Sequence, residues 1–100
     1  MNTFIIRRRS AWKDAQELEA TAAVSLRIGD EEMAEDISWI RSYVVQEEDG
    51  RLGTICVYGA SSANAVRDHA LRVGMPADDI RPVVKTVVIR EDPPDPGTTA

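Results

Sequence analysis

One cysteine, one histidine and one phenylalanine are all that this chain of 100 residues has of those types, and each scarcity removes a class of function. A lone Cys56 forms no intrachain disulfide and builds no thiolate metal cluster from one chain. Its ordinary reading is a small buried residue in a strand. Basic residues are outnumbered, with 12 Lys and Arg against 17 Asp and Glu, and the formal charge of −5 repels phosphate backbones. Nucleic acid is therefore not an expected partner. The one basic cluster, Arg7-Arg8-Arg9, is short and follows apolar Phe4-Ile5-Ile6, so it reads as the solvated end of an opening strand. No apolar run is long enough to cross a bilayer, and Met1 to Ile6 passes straight into a strand-like run without an apolar leader. A cytoplasmic protein with no membrane partner is the expectation. Also missing are a Gly-rich phosphate loop, a nucleophile with its base at a recognised spacing, and a redox-cofactor fingerprint.

What is present specifies a fold. The length and a hydrophobic content of 43% fit a single core, with one domain over 1–90 and a disordered Pro-rich tail over 91–100. Thr3 to Arg8 is rich in β-branched and aromatic residues and reads as a strand. Asp14, with Glu17 three residues on, starts a helix through a variant capping box; Leu18, Ala22, Ser25 and Leu26 give it an apolar stripe, and Gly29 is its expected end. Asp30 to Asp36 reads as a solvated acidic linker, because it lacks the alternation of a calcium loop. Ile37–Val45 and Leu52–Tyr58 are two strands joined through the hairpin signal Asp49-Gly50. Ser61 or Ser62 caps a second helix, which Gly74 stops and Pro76 seals. Ile80–Ile89 is the expected last strand, with Pro82 near its start.

Strand, helix, strand, strand, helix, strand is the split βαβ order of an α+β ferredoxin-like fold, an antiparallel sheet with both helices on one face. On the hairpin, Ile40, Val44, Ile55 and Val57 are expected under the helices. The period of two then sends Trp39, Arg41, Tyr43, Cys56 and Tyr58 to the opposite face as a candidate ligand pocket. So aromatic a face calls for a cover, and a homodimer provides one. His69 falls beside Val66, Ala70 and Val73 on the inward stripe of the second helix. There it is either a metal ligand or an interior-edge histidine bonded to a backbone carbonyl or a tyrosine hydroxyl.

Taken together, Trp39-Ile40-Arg41-Ser42-Tyr43-Val44, Ile55-Cys56-Val57-Tyr58, Arg67-Asp68-His69-Ala70 and Gly74-Met75-Pro76-Ala77-Asp78-Asp79-Ile80 resemble a family of small bacterial ferredoxin-like proteins. It is known largely as a domain of unknown function, and some members are described as nickel-binding proteins. The resemblance spans about Thr3 to Ile89. It implies a homodimer in which two sheets face one another as a dimeric α/β barrel, with nickel or another divalent transition metal near His69 or the sheet pocket. This chain lacks a second histidine, so such a site would borrow His69 from a partner or use carboxylate, backbone and water ligands. Asp68, adjacent in sequence, points elsewhere on the helix. The expected function is a small-ligand-binding protein, with nickel as the ligand of a homodimer. The alternative is a dimeric α/β-barrel enzyme acting on a small organic molecule, in which Tyr43 and Tyr58 donate hydroxyl bonds, Arg41 holds an anionic group and His69 moves a proton.

Overall fold

The computed structural model describes residues 1–96. Its elements are β1 (Asn2–Trp12), α1 (Ala15–Glu31), β2 (Ile37–Gln46), β3 (Leu52–Ala60), α2 (Ala63–Val73) and β4 (Asp79–Pro82). The sheet order is β2-β3-β1-β4 with antiparallel pairing throughout. This is the expected ferredoxin-like arrangement, with both helices on one face. The expected barrel is not formed: the sheet is open, and β2 and β4 are its free edges. Closing a barrel would need tilted strands joined edge to edge.

Local signals account for most boundaries. Asp14 caps α1 by accepting from the Glu17 N–H at 2.9 Å, and Glu17 accepts in return from the Lys13 N–H at 3.2 Å. Ser62 caps α2 through the Ala65 N–H, and Gly74, at φ 85°, ends it in the left-handed conformation that glycine tolerates. α1 runs past its expected stop at Gly29 to Glu31, so the acidic linker is shorter than its composition suggests. Gly29 serves packing instead. A Cβ there would lie 3.7 Å from His69 Nε2 and 3.6 Å from Ile37.

The last strand also differs from expectation, ending at Pro82 rather than Ile89. Its partner runs out: Arg7 pairs with Asp79 and Phe4 with Pro82, the Val83 N–H donates to the Thr3 carbonyl, and β1 begins one residue earlier at Asn2. The following stretch has neither helix nor strand, with Val84, Val87, Val88 and Ile89 exposed. Of the tail expected at 91–100, residues 97–100 lie outside the described residues.

Cross-strand partners point to the same side of a sheet, so the register fixes its faces. Three rows cross the helix-covered face: Phe4, Tyr58 and Trp39; Ile6, Cys56 and Ser42; Arg8, Thr54 and Val44. With Ile28 and Met33 from α1 and its exit, and Val66 from α2, Phe4, Ile6, Cys56 and Tyr58 of the first two rows form the core, and Trp39 packs against it. Cys56 and Tyr58 therefore lie under the helices, opposite to the face expected from hydropathy, and Ile55 and Val57 lie on the uncovered face. β2 is divided. Between Trp39, which pairs with Tyr58, and Arg41, which pairs with Val57, the register shifts by the extra residue Ile40. A bulge changes the phase of alternation. Trp39 thus faces the helices, while Arg41 and Tyr43 face away.

Candidate ligand-binding site

Beneath α1, the helix-covered face does not close completely. A cavity of about 350 Å³ lies between α1 and the β2–β3 half of the sheet. Its floor comes from Arg8, Thr54, Cys56 and Tyr58, its roof from Leu18, Thr21, Ala22, Ser25 and Leu26, and its ends include Trp12, Trp39 and Met75. The five residues expected together on the open face are divided by the sheet: Trp39, Cys56 and Tyr58 line this cavity under the helices, Arg41 reaches its lining from a position that faces away, and Tyr43 does not line it; nor does His69, the candidate metal ligand.

The polar groups of the floor are held in place by short bonds. The Ser42 hydroxyl donates to Cys56 Sγ at 2.9 Å, and the thiol donates to Thr54 Oγ1 at 3.2 Å. No base stands within hydrogen-bond distance of this thiol among the described residues. Trp39 Nε1 donates to Ser42 Oγ at 2.9 Å, and Trp12 Nε1 donates to Thr21 Oγ1 at 3.0 Å, which ties the end of β1 to α1. Tyr58 is 1% exposed, with its hydroxyl 3.4 Å from Ser25 Oγ and its ring edge-on to His69 at 5.6 Å. Burial pushes its phenol pKa upward, so it remains a neutral donor.

Arg8 departs most from the environment that the sequence suggests. The basic run reads as a solvated strand end, but its three members have different environments. Arg7 forms a two-pronged pair with Glu47 at 2.7 and 2.9 Å, and Arg9 is exposed. Arg8 is fully buried. Its Nε donates to the Pro76 carbonyl at 2.7 Å, and its two terminal nitrogens have no partner. Strand alternation carries this signal, because Arg8 follows Phe4 and Ile6 in steps of two.

His69 is 1% exposed, and Nε2 lies 3.0 Å from the Ser25 carbonyl, which assigns the ring proton to that nitrogen. Nδ1 is left buried and without a partner. Burial is the main cause that lowers the imidazole pKa, and the Arg8 and Arg72 charges act in the same direction. A metal needs several donors, and no group of three His, Cys, Asp or Glu side chains comes together among the described residues. Asp68 turns instead to Arg72, at 3.1 Å. Within one chain, the surroundings of His69 do not fit a nickel ion.

The uncovered face carries Ile5, Ile55 and Val57, with Ile40 and Tyr43 exposed on β2. Here the Tyr43 hydroxyl donates to Asp92 at 2.7 Å, placing the chain after β4 beside the sheet. Among the described residues, no helix is long and apolar enough to cross a membrane.

Comparison with known proteins adds a family. Residues 4–83 match the family described as nickel responsive protein SCO4226-like. The crystal structure of SCO4226 from Streptomyces coelicolor A3(2) is similar at a TM-score of 0.70 and 20% identity, covering 85% of this chain and 99% of that one. At that identity the likeness speaks for the fold alone. No curated protein matches the chain.

Proposed function

The chain belongs to the SCO4226-like family of nickel-responsive proteins, and from that premise we propose that it is a small-ligand-binding protein with its ligand seated between α1 and the sheet. The observation carrying this reading is the cavity of about 350 Å³ with three aromatic side chains on its walls. Pockets for small organic molecules begin at roughly 300 Å³ and are mostly apolar, with a few placed polar groups. A neutral fluorescent probe, N-phenyl-1-naphthylamine, tests it. The probe should brighten with the protein and fail to do so with Ala22→Phe, which fills the cavity from its roof. Equal brightening with both proteins would contradict a ligand seat under α1.

Nickel is the second reading, favoured by the family description. Donors from two copies are its chemical requirement, since the described residues of one chain gather too few. A homodimer through the uncovered face is supported by the half-buried Ile5, Ile55 and Val57 there and by the exposed Ile40 beside them. Sedimentation of untagged protein at micromolar concentration should give a dimer, and Val57→Glu should shift it toward monomer and weaken nickel binding in calorimetry. A monomer, or nickel affinity indifferent to Val57→Glu, would contradict a metal site shared between copies.

A further inference from the structure

We propose that the cavity under α1 takes an organic monocarboxylate with an apolar body, its carboxylate paired with Arg8. The inference rests on reading the cavity as the ligand seat and adds the charge and shape of the ligand.

A guanidinium is a permanent cation with five donors in a rigid fork. In Arg8 one donor is used, toward the Pro76 carbonyl, and both terminal nitrogens are buried without a partner. No carboxylate forms an ion pair with it among the described residues. The neighbouring Arg7 has such a pair with Glu47, so the contrast lies within two consecutive residues of one strand. Taking a charge out of water without a counter-ion is strongly unfavourable. A pocket is the usual setting in which a protein keeps such a group, because the ligand completes the pair.

The guanidinium is also held in place. Its carbon lies 5.8 Å from the centre of the Tyr58 ring, and the Pro76 bond fixes the Nε side. The two terminal nitrogens are the donors left for a two-pronged bond to a carboxylate, and both are shielded from solvent in the ligand-free protein. The other walls limit the anion to a single charge. Leu18, Leu26, Trp12, Trp39 and Met75 offer apolar surface, and Arg41, the other Arg at the lining, lies where β2 turns its side chain away and meets the Tyr43 hydroxyl at 3.4 Å. A dianion such as a phosphate monoester would be left half-neutralised, and a bare metal cation would meet a positive charge. An aryl or alkyl acid satisfies both parts of the cavity.

Calorimetry with 3-phenylpropionate and its uncharged counterpart, 3-phenylpropanamide, tests the proposal. The acid should bind at least about tenfold more tightly than the amide, as expected of a charge-assisted pair. Arg8→Met should reduce the acid to the affinity of the amide, and Arg8→Lys, which keeps the charge and loses the fork, should fall between. Ala22→Phe should abolish binding while leaving Arg8 intact. Equal affinities for acid and amide would overturn the carboxylate assignment and leave the cavity reading standing. Binding of neither would overturn both. Acid affinity unchanged in Arg8→Met or Ala22→Phe would place binding elsewhere and overturn the proposal. Should Arg8→Met fail to fold, the acid and amide comparison in the native protein decides the matter.

Discussion

The two faces of the sheet are built from the same strands, yet the middle of β3 turns Thr54, Cys56 and Tyr58 to the covered face and the aliphatic Ile55 and Val57 to the uncovered one. Under the helices lie Arg8, Thr54, Cys56 and Tyr58, whereas Ile5, Ile55 and Val57 look outward. Hydropathy alone would exchange them. The difference follows from what each face meets. α1 offers Ser25 to the Tyr58 hydroxyl, and Ser42 and Thr54 satisfy the Cys56 thiol, so these groups are buried without loss of hydrogen bonds, whereas Arg8 keeps two terminal nitrogens unpaired. The uncovered face pairs its polar side chains with Asp92 and Glu47 through Tyr43 and Arg7, and its aliphatic side chains suit contact with another apolar surface. The proposed ligand seat and the proposed dimer surface thus lie on opposite sides of one sheet.

The largest expected effect separates the faces by stability. Ile6→Ala, in the fully buried row under the helices, should cost about 2–5 kcal/mol in urea unfolding. Tyr43→Ala, on the exposed side of β2, should cost under about 1 kcal/mol. Equal costs would erase the distinction. Next comes the unpaired cation. Arg8→Met in ligand-free protein should raise stability by about 1 kcal/mol or more, because replacing a buried charge by an apolar residue of similar volume is often stabilising. A large loss would show that the guanidinium is satisfied within the fold.

A smaller effect is expected from pH. The folded imidazole of His69 has a lowered pKa, mainly from burial, so between the unfolded value near 6.5 and the folded value the unfolded chain binds the extra proton. Stability should therefore fall as pH drops below about 6.5, with a slope from this group of at most about 1.4 kcal/mol per pH unit. His69 is the only histidine in the chain, so His69→Phe should flatten the curve between pH 6.5 and 5. A slope surviving in the variant would assign it to the carboxylates. Least of all, Ser62→Ala should cost about 1 kcal/mol through loss of the α2 cap. No loss would mean that packing against the covered face, rather than capping, sets the start of that helix.

How much of this was legible in the sequence depends on the range of the interaction. The two caps, the Asp49-Gly50 turn and the stop at Gly74 are local, and the element order follows from them. Face assignment is not local. On β3 both alternating sets contain apolar residues, so Ile55 and Val57 compete with Cys56 and Tyr58, and hydroxyl partners on α1 and β2 decide between them. On β2 the bulge at Ile40 puts Trp39 and Arg41 on different faces, although a period of two makes them neighbours. No turn residue announces it. The end of β4 depends on where β1 begins, 80 residues away in sequence, rather than on the β-branched run Val83–Ile89 itself. His69 lies on the inward stripe that the helical spacing predicts, and its bond to the Ser25 carbonyl accounts for that position without a metal. Arg8 was readable in principle from its phase with Phe4 and Ile6, but its charge favoured a solvated reading.

The opposition of the two faces is tested most directly by a ¹⁵N–¹H spectrum recorded while 3-phenylpropionate is added. The indole N–H signals of Trp12 and Trp39 and the side-chain Nε–H of Arg8 should move together, while the amides of Tyr43, Ile55 and Val57 stay within a fraction of those shifts. Movement confined to the uncovered face, with both indoles and Arg8 unchanged, would contradict the account.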